Sequence, residues 1–271
     1  MKKLMLAVAM VALIAAPSFA AVQNVKVGGD IITTSVLRDG FNFFGSDTGR
    51  QNEILAQTRL KVTADLTDNV STTVSLTNER LWGNGGSSDN TVGVESAYVT
   101  MKELFYAPLT LVVGRQPLAY GNQLIIGQST TGFSQPMSDL TFTSGFDAVK
   151  AVLTYDPLTV DLFASRIDNG SSVNNTGNGT HDNTNLYGIN ANYKLGDKMS
   201  TVVEGYVFAK TQDATTATNS NSTYVPGLRL STNPIEGLNV QLEGAMQFGR
   251  NDGDGDSDNS GSNQHRDAFA I

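Results

Sequence analysis

Arg59-Leu60-Lys61-Val62-Thr63-Ala64-Asp65-Leu66 alternates without a break. On an extended strand Leu60, Val62, Ala64 and Leu66 share one face, and Arg59, Lys61, Thr63 and Asp65 share the other. Side chains of a strand repeat every two residues, so this segment shows an apolar face to one environment and a charged face to another. Near the other end of the chain, Leu238, Val240, Leu242 and Met246 stand against Asn239, Gln241 and Glu243 in the same way. A soluble sandwich could use either strand by itself. The spacing between such strands is what separates the two architectures.

Working outward, the same reading predicts about twelve strands. They are Val22–Leu37, Glu53–Leu66, Val70–Trp82, Val92–Glu103, Pro108–Gln116, Gly145–Tyr155, Leu158–Ile167, Thr184–Leu195, Met199–Lys210, Thr223–Ser231, Leu238–Phe248 and a beginning at Gln264. Their connections are short and long by turns. Thr67–Asn69, Leu104–Ala107, Asp156–Pro157, Gly196–Lys198 and Thr232–Gly237 are short; Arg38–Asn52, Gly83–Thr91, Pro117–Ser144, Asp168–Asn183, Thr211–Ser222 and Gly249–Asn263 are long. An outer-membrane β-barrel has short periplasmic turns and long external loops, which gives this rhythm a cause. Phe105, Tyr106, Tyr155 and Tyr193 fall at the short-turn ends, and Trp82, Tyr187, Phe208 and Phe248 near the long-loop ends. Two aromatic girdles are what a barrel places at its two interfaces.

Targeting and composition agree. Lys2 and Lys3 precede an apolar run of 13 residues, Leu4–Ala16, which Pro17 breaks and Ser18-Phe19-Ala20 ends. This reads as a secretory signal cleaved after Ala20, leaving 21–271 as the barrel. Only 39% of residues are hydrophobic, and no later segment approaches the length of a helical span. There is no Cys, so neither a lipid anchor on Cys nor a disulfide framework is available. The formal charge is −8, becoming −10 when Lys2 and Lys3 leave, which argues against nucleic acid as a partner.

Several local patterns, in order, resemble the alginate-export family of outer-membrane porins. They are Gly28-Gly29-Asp30, the run Thr58–Val70, Asn78-Glu79-Arg80-Leu81-Trp82-Gly83, Glu95-Ser96-Ala97-Tyr98-Val99, Val113-Gly114-Arg115-Gln116-Pro117-Leu118-Ala119-Tyr120-Gly121-Asn122-Gln123 with Ile126-Gly127, and Phe146-Asp147-Ala148-Val149. The likeness is strong over Val22–Ser165 and architectural beyond it. It implies an all-β, up-and-down transmembrane barrel of about 16–18 strands that passes an anionic polysaccharide across the outer membrane of a Gram-negative bacterium. The expected surroundings are outer-membrane lipid and lipopolysaccharide, and the expected cargo is a hydrophilic or anionic oligosaccharide. The last strand begins at Gln264 and has few residues before Ile271, and an open barrel would leave unpaired edges in lipid. The expectation is therefore a chain that continues. In the family the lumen is rich in arginine; here the inward set by strand parity is Lys26, Arg59, Lys61, Lys150 and Arg229 against Asp30, Asp161, Glu204 and Glu243, so basic and acidic groups nearly balance. A general porin and a non-conducting surface barrel are the rival readings.

Three groups of residues are candidate sites. Arg59 and Lys61 lie two apart on one face at mid-membrane depth, where facing lipid would cost about 2–4 kcal/mol. They form either a basic ladder for a moving anion or structural pairs with carboxylates such as Asp30. Lys150, Arg229, Glu204 and Glu243 extend this candidate pore lining. Arg115 and Gln116 precede the longest loop, Pro117–Ser144, whose apolar insert Leu124-Ile125-Ile126 would sit poorly on a cell surface. An inward fold would bury that insert and narrow the pore, with Arg115, Gln116 and Tyr120 at its base. Asp252, Asp254, Asp256 and Asp258 stand at alternate positions and resemble half of an oxygen-rich Ca²⁺ loop, without the closing bidentate Glu; a solvated external loop is the simpler reading. No cofactor is expected otherwise. The two histidines, His181 and His265, lie in or beside loops without a nucleophile in register, so an enzyme is not expected.

Overall fold

A computed structural model describes residues 22–39, 51–83, 92–127, 145–168, 171–172, 180–181, 183–212, 220–251, 264–265 and 267–271. The strands are β1 (Gln23–Arg38), β2 (Gln51–Thr67), β3 (Val70–Leu81), β4 (Val92–Lys102), β5 (Leu109–Gln116), β6 (Phe146–Tyr155), β7 (Leu158–Asp168), β8 (Ser171–Ser172), β9 (Thr180–His181), β10 (Thr184–Lys194), β11 (Val202–Gln212), β12 (Asn221–Ile235), β13 (Leu238–Asn251), β14 (Gln264–His265) and β15 (Ala268–Ala270). No helix occurs among the described residues. Each long strand pairs antiparallel with the next, β1 through β7 and then β10 through β13, while β14 and β15 both pair with β13 as one interrupted strand. This is the up-and-down meander of about twelve strands that the alternation predicts. The two-residue strands β8 and β9 pair with each other within a long connection.

Register assigns the faces. Asp30 opposes Arg59, which opposes Thr77; Lys150 opposes Phe163, which opposes Gly188; Glu204 opposes Arg229, which opposes Glu243. These rows form one polar face. The other carries Ile31, Leu60, Val74, Val149, Leu162, Ile189, Val207, Leu228, Leu230, Leu242 and Met246, all of them exposed. Large apolar groups left out of the core across a whole sheet face require a lipid solvent.

The apolar face ends along one register row. Val113, Val149, Ala164, Tyr187, Ala209, Tyr224 and Phe248 are partners in sequence, and Tyr224 and Phe248 stack with ring centroids 5.7 Å apart. Two residues further toward the long loops the row reads Arg115, Asp147, Arg166, Asn185, Thr211, Ser222, Arg250. Hydrocarbon gives way to a polar boundary between those rows.

Several strand ends, and the placement of one aromatic residue, differ from the sequence reading. β11 begins at Val202, because Met199 to Thr201 belong to a turn in which the Thr201 hydroxyl and N–H both donate to Asp197. β12 runs on to Ile235, with a register shift between Thr232 and Ile235 that lets Pro234 sit where no ladder hydrogen bond is needed. Phe208 is not a girdle residue. It shares the inward face with Glu204 and Tyr206, lies opposite Gly188, and is 2% exposed.

Candidate pore wall and its inward loop

The chain leaves β5 at Pro117 and turns into the space on the polar side of the sheet. Gln116, 1% exposed, fixes the departure point: its Nε2 donates to the carbonyls of Val112 (3.1 Å) and Ala148 (2.9 Å). The segment 117–127 is closed by its own backbone bonds, Tyr120 N–H to Ile126 and Gln123 N–H to Tyr120. Leu118, Tyr120 and Ile126 are then buried with Ala148, Phe163, Leu186, Tyr206, Phe208, Val225 and Ala245. Those seven come from β6, β7, β10, β11, β12 and β13, so six strands curl around one loop. Leu124 and Ile125 stay exposed at its tip, so the inward fold buries only Ile126 of the apolar insert.

The wall is shaped to receive the loop. A Cβ on Gly188 would overlap the Phe163 ring, and one on Gly227 would overlap Tyr206, so these two glycines let the aromatic rings lie along the sheet. Tyr120 stacks on Phe163 (5.4 Å, 10° between planes), and Tyr206 stacks on Phe208 (4.5 Å, 13°). Aromatic pairs of this kind contribute about 0.5–1.5 kcal/mol beyond their buried area.

Polar groups complete the dock. Gly121 N–H donates to Oε1 of Glu204 (2.9 Å), and Asn122 N–H donates to Oε2 of Glu243 (2.6 Å). Arg229 donates to Asn122 Oδ1 (2.7 Å), Glu204 Oε2 (3.0 Å) and Gln241 Oε1 (3.1 Å), while the Tyr206 hydroxyl donates to Glu243 Oε1 (2.7 Å). Glu204 and Glu243 are 4% and 6% exposed. Two buried carboxylates are tolerable only with partners of this kind. They face inward as strand parity requires, yet they meet the loop rather than open lumen.

The inner face of β1 to β4 is part cleft and part packed: toward the long loops Val36, Leu55 and Leu81 pack together, and Gln57, Thr77 and Glu79 are buried. A cleft of about 550 Å³ there is lined by Lys26, Gly28, Asp30, Arg59, Lys61, Thr63, Ser75, Glu95, Ser96, Tyr98 and Pro117. Arg59 is held twice, by Asp30 (Nε to Oδ1, 3.0 Å) and by Glu95 (3.7 Å). Lys61, opposite Gly28 and Ser75, has no carboxylate partner among the described residues, and neither has Lys26. The sequence pair Arg59 and Lys61 is thus split: one is tethered, the other free in the cleft. Lys150 lies on the inward face of β6, where its charge acts on Asp161 of β7.

Two placements add to the sequence reading. Arg115, expected to hold the base of the loop, makes its ion pair with Asp147 (3.4 Å), the residue directly across on β6, in the polar boundary row. Glu95, which strict alternation along β4 would not pair with Ser96 on one face, reaches the cleft because the β3–β4 register shifts between Ser75 and Leu76. The extra residue is a β-bulge, which turns Glu95 to the same face as Ser96, where it accepts from Ser75 Oγ (2.9 Å). The apolar phase of β4 shows it: Val92 and Val94 are even, Ala97, Val99 and Met101 odd. Asp252, Asp254, Asp256 and Asp258, and the signal segment 1–20, lie outside the described residues.

An up-and-down sheet with an apolar outer face, a polar inner face and a loop docked inside is the wall of an outer-membrane transport barrel. The chain belongs to the alginate-export family: the family model described as alginate export matches residues 24–271. Membership places it in the outer membrane among transport channels. No curated protein matches the chain.

Proposed function

We propose that this protein is a passive outer-membrane channel whose path for hydrophilic, anionic oligosaccharides runs along the β1–β5 wall. The observation that carries this reading is the asymmetry of the inner face. One wall is filled by residues 117–127, and the other keeps a polar cleft in which Lys26 and Lys61 are free to meet carboxylates. A gradient drives the solute, the loop narrows the lumen, and no bond is made or broken. The protein is exported by a cleaved signal in a Gram-negative cell and sits among lipopolysaccharide and phospholipid, without a cofactor. Planar-bilayer recording tests the proposal. Discrete conductance steps that uronate oligomers block at low concentration are expected. Steps insensitive to uronates would indicate a general porin, and silence a non-conducting barrel.

A further inference from the structure

On the inward face basic and acidic groups nearly balance, which by itself would give a weakly selective hole. Docking changes that balance. The trio Glu204, Glu243 and Arg229 carries a net charge of −1, and all three are engaged by Gly121, Asn122 and Tyr206 beneath the loop. Lys26 and Lys61, in the cleft on β1 and β2, stay exposed. Charges that line a path set ion preference through the local potential, and a charge buried behind protein and paired contributes little to it.

We propose that the docked segment 117–127 is a charge mask: by covering Glu204 and Glu243 it sets the anion preference of the path, beyond merely narrowing it. This rests on the channel reading above. The socket supports a built, stable mask. Gly188 and Gly227 make room for the rings that seat Tyr120, and Gly121 (φ +60°) leaves no space for a Cβ beside the Glu243 carboxylate. Backbone N–H groups of the loop, Gly121 to Glu204 and Asn122 to Glu243, hold the two acids together with Arg229 and the Tyr206 hydroxyl.

The test is the anion-to-cation permeability ratio, from reversal potentials in a KCl gradient, on the full-length protein in planar bilayers. Folding is checked by heat-shifted gel mobility. Wild type is expected to prefer chloride. Undocking by L118S/Y120S/I126S, or independently by G121V, is expected to lower the ratio about twofold or more. Adding E204Q/E243Q to the undocked variant is expected to restore the ratio while the enlarged conductance persists. Undocked variants with raised conductance and an unchanged ratio would overturn the mask. So would a fallen ratio that neutralisation fails to restore, since widening alone would then explain it. Absence of conductance in the wild-type protein would overturn the channel reading itself, and the mask with it.

Discussion

The Tyr120 ring, carried on a connection between strands, lies flat on Phe163 of β7, with centroids 5.4 Å apart and 10° between the planes. A residue 43 positions away in the chain thereby fixes where the loop rests. Truncating such a buried aromatic removes about 3–5 kcal/mol of packing. Tyr120→Ala is therefore expected to release the segment and raise single-channel conductance, while the strands keep their heat-resistant fold on gels. An unchanged conductance would mean that the loop stays put without its ring.

Gly121 provides a second route to the same state. A side chain there meets the Glu243 carboxylate, and φ +60° is strained for any L residue by about 1 kcal/mol. Gly121→Ala should raise conductance less than Tyr120→Ala, with strand content by circular dichroism the same. Wild-type conductance in Gly121→Ala would show that the Glu243 contact does not hold the segment.

How much of this was legible beforehand follows from the range of each interaction. Strand positions and faces were readable because the two-residue period is local, as Arg59–Leu66 shows. The apolar insert Leu124-Ile125-Ile126 was expected to be buried as a unit, since apolar residues avoid an exposed loop, but only Ile126 is buried and Leu124 and Ile125 stay exposed. Which wall receives it was not readable, because Phe163, Tyr206 and Ala245 join only through register. The Arg115–Asp147 pair was not readable either, because it too joins two strands only through register, although strand parity aligns Arg115 with Val113. Glu95 was hidden because a strict alternation was assumed across a bulge.

Tethering of Arg59 gives a prediction about the cleft. Asp30 and the buried Glu95 hold it at 3.0 Å and 3.7 Å, and an exposed pair such as that with Asp30 contributes about 0.2–1 kcal/mol. D30N/E95Q should free the guanidinium for passing anions and strengthen block by uronate oligomers by roughly two- to fivefold. Lys61→Ala should weaken it. Equal block in wild type and D30N/E95Q would show that Arg59 is already available.

The turn before β11 titrates. Asp197 accepts from the Thr201 hydroxyl (2.6 Å) and N–H (2.7 Å), and these bonds hold its carboxyl below the usual range, the hydroxyl bond being the larger cause. A carboxyl whose folded pKa is depressed stabilises the fold above its unfolded pKa, near 4, and that contribution fades as pH falls through the folded value. Asp197→Asn should thus lower the thermal midpoint at neutral pH, with the gap to wild type closing in acid. A gap that persists below pH 3 would point to packing instead.

Labelling gives the most direct view of the two walls. The chain has no cysteine, so a single introduced thiol reports without background. Lys61→Cys stands in the cleft, whereas Ala245→Cys stands under the loop at a position 6% exposed. A bulky, membrane-impermeant thiol reagent added during bilayer recording should cut the current through Lys61→Cys and leave Ala245→Cys untouched. Equal labelling of both positions, or label at Lys61→Cys with no loss of current, would contradict a path that runs along the β1–β5 wall beside a docked loop.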